Sequence, residues 1–276
     1  MARKSRYELD GDELPIEEVG PWAKKKLKIL HDYIIASGAA RRKFKDGQSS
    51  YIDVFCGPGK AKIRTTGEII DGSPLVAAKS STSSLSPFSS IHISDAEYSL
   101  LEAATERLRK HHSKVVPQVG PATSAVSAIA SKIDPKGLHL AFVDPYNIGN
   151  LSFSLFEEFA KFESIDILVH VSVSDLRRNA DFYSREDAKQ FDSFAPDWRE
   201  HIDEQQHNAR SLRTEILKYW AAKVEKLGLP RAQYHESVRA PGGQELYWLV
   251  LLSGHPLAHD LFKKIGSTLD FNELFD

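Results

Sequence analysis

An α/β fold on a mostly parallel, seven-stranded sheet is what the sequence predicts, and three observations carry the prediction. Short apolar runs alternate with amphipathic helical segments five times along the chain. Two more strand-like runs, 233–239 and 245–252, then follow each other across Pro241-Gly242-Gly243 and predict an antiparallel hairpin at one edge. The first apolar run, Tyr51-Ile52-Asp53-Val54-Phe55, passes straight into Cys56-Gly57-Pro58-Gly59. A tight glycine turn at the carboxyl end of a first strand is how a Rossmann-like sheet lets a ligand approach bare backbone.

The elements follow in order. Residues 1–20 are polar and acidic and read as an N-terminal arm or loop. Trp22, Leu27, Leu30 and Ile34 recur at helical spacing, so a helix is expected over 21–37 with Gly38 as its C-cap. Residues 46–50 read as a turn, 51–55 as the first strand and 60–72 as a polar loop. Ser73-Pro74 opens a helix, with Ser73 as N-cap and Pro74 in the first turn, where a missing N–H costs nothing. A serine-rich loop over 80–90 leads to a strand at 89–93 and a helix at 97–112. A strand at 115–119, a helix at 122–133, a strand at 138–143, a helix at 153–162 and a strand at 166–173 complete the alternation. Residues 175–227 read as a helical insertion, and a last helix is expected over 256–265. Together these make 21–276 a single Rossmann-like domain.

Composition sets bounds on function. The chain has 276 residues, a net charge of -2 and one cysteine, Cys56. One cysteine rules out an internal disulfide and a multi-cysteine zinc site, and it fits a reducing cytoplasm. No apolar run reaches membrane-spanning length, and the first residues lack a secretory pattern. His255 and His259 have i, i+4 spacing but no third ligand nearby, so no metal site is expected. Charge is locally uneven: Lys24, Lys25, Lys26, Lys28, Arg41, Arg42, Lys43 and Lys45 face only Asp32 and Asp46. Such a run is either a solvated helix face or a nucleic-acid surface over 24–45.

The chemistry concentrates at the strand tips, where open α/β sheets bind ligands. A dinucleotide turn wants G-x-G-x-x-G, but Lys62 stands at the third glycine position and Asp53 brings a negative charge to the same crevice. A carboxylate repels pyrophosphate and suits a sulfonium, so the pattern favours S-adenosylmethionine over NAD. Asp95, after Ile91-His92-Ile93-Ser94, can accept two ribose hydroxyls or serve as a helix cap. Phe55, Ser73, Ala96, Gly120 and Thr123 join Asp53, Gly57, Gly59 and Asp95 as candidate cofactor residues. Asp144-Pro145-Tyr146, after the fourth strand, is the candidate reaction site. Its carboxylate can orient an acceptor amine and its ring can stack on a flat substrate, although Asp-Pro also starts turns. Asp175, Arg177, Arg178 and Asn179 follow the fifth strand and are candidate substrate contacts, arginine being suited to phosphate or carboxylate.

The turn Tyr51 to Gly59, Thr66-Gly67-Glu68, Gly72-Ser73-Pro74-Leu75, Phe142-Val143-Asp144-Pro145-Tyr146 and Asp175-Leu176-Arg177-Arg178-Asn179 resemble the three-Cys-motif partner proteins (TcmP) over about residues 20–265. That family resembles class I S-adenosylmethionine-dependent methyltransferases, so the resemblance implies strand order 3-2-1-4-5-7-6. It also implies a cysteine-motif partner protein similar to radical S-adenosylmethionine enzymes. By that similarity Asp53, Gly57 and Gly59 would hold the methionine portion of the cofactor and Asp95 its ribose. Two departures stand out: Gly120-Pro121-Ala122-Thr123 has no acid or amide for adenine, and Asp144-Pro145-Tyr146-Asn147 has one proline where amino-methylating nucleic-acid enzymes have two. The leading expectation is a methyltransferase-like enzyme acting on a nucleic acid or nucleotide-like acceptor. A non-catalytic partner protein and a nicotinamide-dependent oxidoreductase are its rivals.

Overall fold

The structure, a computed structural model, describes residues 7–44, 48–185, 187–203, 206–240 and 242–272. Residues 1–6, Lys45 and Asp46 of the basic run, part of the expected 46–50 turn and Pro241 of the hairpin turn lie outside them. The chain divides into two compact units, Met1–Phe142 and Val143–Asp276.

The first unit runs β1 (Glu8–Leu9), β2 (Pro15–Val19), α1 (Ala23–Ala36), α2 (Gly38–Arg41), β3 (Ser49–Asp53), β4 (Lys60–Ile63), β5 (Ile69–Asp71), α3 (Ser73–Ser83), β6 (Ser90–Asp95), α4 (Tyr98–Arg109), β7 (Val115–Val119), α5 (Ala122–Ala130) and β8 (Leu138–Val143). Strand β3 is buried along its whole length, as a central parallel strand covered on both faces must be. Its parallel neighbours are β6 and β8, with Asp53 opposite Ile93 on one side and Phe142 on the other. β7 continues the set, with Asp95 opposite Val119. The register brings the carboxyl ends of these strands to one edge.

Two sequence expectations change here. Residues 1–20 and 60–72, expected as arm and loop, supply the four strands of a second sheet, in the order β1-β2-β4-β5. Lys60-Ala61-Lys62-Ile63 alternates outward lysines with inward Ala61 and Ile63, a two-residue period too short to separate from a polar loop by pattern alone. Gly38 does not cap α1: Ser37 ends that helix, and Gly38 opens the short α2. Gly72 rather than Ser73 occupies the N-cap of α3, which frees the Ser73 hydroxyl for another partner.

Two buried arginines tie the unit together. Arg107 on α4 donates to both Asp12 oxygens, at 2.9 and 2.6 Å, and to the carbonyls of Leu14, Pro15 and Pro58. Arg41 is 5% exposed and, among the described residues, forms no salt bridge. It donates to the carbonyls of Ile34 and Ser86 and to the Ser37 hydroxyl, and lies 4.6 Å from the centre of the Phe88 ring. Burial lowers its guanidinium to about 10. The expected basic surface is therefore partly consumed: Arg41 is inside, Lys24 pairs with Glu68, and Lys28 pairs with Asp32 at 2.9 Å.

His92 on β6 makes a testable pH dependence. It is 3% exposed, and burial first, then Lys114 and His139, lower its pKa from 6.5 to about 4. Below pH 6.5 the unfolded chain takes up a proton that the folded chain refuses, so stability falls as pH drops from about 6.5 toward 4. Urea unfolding at pH 7 and near pH 4.5 is expected to show a loss on the order of 2–3 kcal/mol from this residue. His92→Gln should flatten that part of the slope, and an unchanged slope in the variant would refute the assignment.

The second unit runs from a 3-10 turn (Ile148–Asn150) through α6 (Ser154–Phe159), β9 (Ser164–Val171), α7 (Val173–Tyr183), α8 (Gln190–Phe194), α9 (Trp198–His201), α10 (Ala209–Lys226), β10 (Arg231–Arg239) and β11 (Glu245–Ser253) to α11 (Pro256–Asn272). The hairpin β10–β11 is antiparallel, and β11 pairs antiparallel with β9, Trp248 opposite Val171. The helices close over an aromatic core in which Trp220 stacks on Phe194 and meets Phe156 edge-on. The seven-stranded sheet has the order β10-β11-β9-β8-β3-β6-β7. Counted along the chain, this is the 3-2-1-4-5-7-6 order.

Candidate functional site: a carboxylate-ringed glycine turn and an Asp–His pair

The turn after β3 is built from Gly57 and Gly59, whose φ angles of 54° and 82° are left-handed and favour glycine. A Cβ on Gly59 would sit 3.3 Å from Ala104 Cα, and one on Gly72 only 3.0 Å from the Gly59 backbone. Gly72 N also donates to Gly59 O at 2.7 Å. The Gly72-Ser73-Pro74 segment thus closes against the turn, which gives that sequence a packing reason.

Asp53 is fully buried and its carboxylate is used inside the protein. It accepts from Ser73 Oγ at 2.6 Å, Tyr51 OH at 3.1 Å and Phe55 N at 3.2 Å. Asp53 and Ser73 are therefore brought together as a latch that fixes the turn. Asp95 is half-buried and accepts from Gly57 N at 3.1 Å and Glu97 N at 2.9 Å. That carboxylate joins the tips of β3 and β6. Burial raises it above the usual carboxylate range, against the lowering effect of the two amides. Gly120 is linked to the same tip, its N–H donating to Asp95 O at 3.1 Å. Phe55 is half-buried, whereas Ala96 and Thr123 are exposed.

A third acid was not among the sequence candidates. Glu17, on β2, places Oε2 3.1 Å from where a Gly57 Cβ would stand. The buried Cys56 thiol registers all three: burial first, then Asp53, Asp95 and Glu17, hold it well above its usual value and keep it protonated. The turn therefore carries a negative field. Nothing local marks Glu17 in the sequence, because its position depends on β2 pairing with β4.

In the second unit, Asp144 directly follows β8, and His170 Nδ1 on β9 lies 2.8 Å from Asp144 Oδ1. The Tyr247 ring meets His170 edge-on at 4.2 Å, and burial with Asp144 and Glu236 raises its phenol far above the usual range. Pro145 is buried and Tyr146 is 71% exposed. His170 was missed from sequence, being one of several histidines without a spacing signal. Its only cue is a polar residue at the end of an apolar strand.

The expected substrate group separates. Asp175 is 5% exposed and accepts from Ile148 N at 3.0 Å, Asn179 Nδ2 at 2.7 Å and Tyr183 OH at 3.0 Å. It orders the loop after Asp144, with Asn179 as its partner. Arg177 and Arg178 are exposed. His255 and His259 do not converge on one site: His255 Nδ1 accepts from Leu257 N, and His259 Nε2 bonds Ser253 O.

No protein-family model matches the chain, and no curated protein matches it. Among solved structures it is similar to protein LPL1258 from Legionella pneumophila, described by the family model DUF519, at 10% identity and TM-score 0.54, over 88% of this chain and 91% of that one. It is also similar to an O-methyltransferase from Bacillus cereus in complex with SAH, at 12% identity and TM-score 0.50, over 88% and 85%. The chain has the Rossmann-like fold of class I methyltransferases. Among the described residues no helix is long and apolar enough to cross a membrane.

Proposed function

We propose that the protein is an S-adenosylmethionine-dependent methyltransferase of the three-Cys-motif partner type, acting on a nucleotide-like acceptor. The observation that carries this reading is the carboxylate ring of Glu17, Asp53 and Asp95 around the Gly57–Gly59 turn. A negative field at bare backbone favours a sulfonium and an ammonium group and disfavours the pyrophosphate of a nicotinamide cofactor. The residues fit the cofactor: Gly57 and Gly59 form the left-handed turn, packed by Glu17, Ala104 and Arg107, and half-buried Asp95 stands at the tip of β6 to receive ribose hydroxyls. S-adenosylmethionine, when bound, supplies an electrophilic methyl group. The likeness to a methyltransferase crystallised with SAH supports the same choice.

Asp144 supplies the acceptor side. Its carboxylate accepts a hydrogen bond from the acceptor amine, orients the lone pair toward the methyl donor and takes up the proton the amine releases, while the His170 ring, whose nitrogens are both buried, packs beside it. The exposed Tyr146 offers a ring for a flat substrate. The engagement of Asp144 by His170 also fits the second reading, a non-catalytic partner of a cysteine-motif protein, in which the pair is structural.

Calorimetry with S-adenosylhomocysteine tests the cofactor. Binding to the native protein is expected, with Asp95→Ala weakening it about tenfold or more through loss of a charge-assisted bond. No heat with the native protein sinks the cofactor assignment. Methyl transfer lost in Asp144→Ala, with S-adenosylhomocysteine binding retained, would separate enzyme from binding protein.

A further inference from the structure

The four-stranded sheet β1-β2-β4-β5 stands apart from the seven-stranded sheet, yet it is fastened to the glycine turn. Arg107 does the fastening. Its Nη1 donates to Pro15 O, on the first residue of β2, and to Pro58 O, between the two turn glycines, both at 2.8 Å. β4 begins at Lys60, directly after Gly59, and pairs with β2, Glu17 opposite Ala61. Lys60 also pairs with Asp10 at 2.6 Å, ahead of β2. These bonds fix where Glu17 stands. Its carboxylate lies against Gly57, with Oε2 3.1 Å, Cδ 3.6 Å and Oε1 4.0 Å from the place of a Cβ.

Exposure then separates the three acids at the turn. Gly57, Pro58 and Gly59 are buried, whereas Glu17, Phe55 and Asp95 are half-buried and keep surface that a ligand can touch. Asp53 keeps none: it is 0% exposed, and Ser73 Oγ, Tyr51 OH and Phe55 N all donate to its carboxylate. Asp95 stands at the tip of β6, where it bonds Gly57 N and Glu97 N and is placed for ribose. Glu17 is the carboxylate at Gly57 that a cation can reach. A partly buried pair is screened less by salt than an exposed one, so this position suits a fixed positive group. The methionine portion of S-adenosylmethionine carries one, its α-ammonium.

We propose that Glu17 receives the α-ammonium of S-adenosylmethionine, which makes the four-stranded sheet part of the cofactor site. The contact is a charge-assisted hydrogen bond from the ammonium to the carboxylate. The three acids then divide the work: Asp53 fixes the turn, Asp95 takes the ribose and Glu17 recognises the amino-acid end. A ligand with the adenosine and the sulfur but no amino acid is indifferent to Glu17. This assignment rests on the S-adenosylmethionine reading of the turn.

Calorimetry on the full-length protein tests it with S-adenosylhomocysteine and with 5′-methylthioadenosine, which keeps the adenosine and the sulfur but lacks the ammonium and carboxylate. Glu17→Gln keeps the size of the side chain and removes its charge. It is expected to weaken S-adenosylhomocysteine about tenfold and to leave 5′-methylthioadenosine within about twofold of native. A second measurement needs no variant: on the native protein, S-adenosylhomocysteine with hydrogen in place of the ammonium should bind about tenfold more weakly than the parent. Native or tighter S-adenosylhomocysteine binding in Glu17→Gln, or equal affinity of the native protein for the deaminated ligand, would overturn the proposal. So would an equal loss on both ligands, which would show Glu17 only shaping the turn. These results remove the Glu17 assignment alone, whereas no heat from either ligand with the native protein removes the cofactor reading with it.

Discussion

Arg107→Ala is expected to destabilise the first unit by about 3–5 kcal/mol, the range for breaking a buried ion pair from one side. The guanidinium is 2% exposed and serves both Asp12 oxygens and three backbone carbonyls. Its removal leaves Pro58 O and Pro15 O without that donor and Asp12 with only Lys60, 3.6 Å away, as counter-charge. Pro58 sits inside the glycine turn, so the same variant should also weaken S-adenosylhomocysteine. Urea unfolding and calorimetry on one preparation read the two effects, and a loss below about 1 kcal/mol would show that water replaces the arginine. The pH dependence has a definite sign. The side-chain bond from Arg107 is the largest cause holding the Asp12 carboxyl well below the ordinary range. A depressed carboxyl contributes stability at pH values above its unfolded pKa and loses it as pH falls through the folded value. That acid-side slope should be smaller in Arg107→Ala.

Asp53→Ala is the second large effect, expected to cost about 3 kcal/mol. The carboxylate is 0% exposed and receives Ser73 Oγ, Tyr51 OH and Phe55 N. Each donor left buried and unmet costs on the order of 1–3 kcal/mol, partly offset because a charge no longer has to be desolvated. Asp53→Asn should fall between, since an amide keeps one acceptor oxygen but turns N–H groups toward donors. The comparison separates two roles. If Asp53 acts by fixing the turn, Ser73→Ala weakens S-adenosylhomocysteine in the same direction as Asp53→Asn. If the carboxylate meets the cofactor directly, Ser73→Ala leaves affinity unchanged.

Much of this architecture was legible in the residues. The strands at 115–119 and 138–143 appear with the predicted bounds: 138–143 because a buried parallel strand is written as a continuous apolar run, and 115–119, an unburied edge strand, because its short valine run lies between Ser113 and Gly120. Asp53, Asp95 and Asp144 were recognisable as strand-tip acids for the same reason. The second sheet was not legible: β4 and β5 are four and three residues long, and their identity comes from pairing with each other and with β2. Nor was the fate of Arg41, one of eight basic residues in a run that looked solvated, whose burial follows from the carbonyls and serines that the end of α1 and the 84–86 segment offer it.

The sequence by itself determined the order of elements, the glycine turn and the acids that end the strands. These depend on local periodicity and on which residues tolerate a left-handed backbone, both readable over a few neighbours. The tertiary structure alone decided what those acids do. It turned Asp53 and Asp175 inward as latches, brought Glu17 to the turn from a strand forty residues upstream of it, and set His170 against Asp144. Charge and hydrogen bonding act through space, and the partners that fix them lie far apart along the chain.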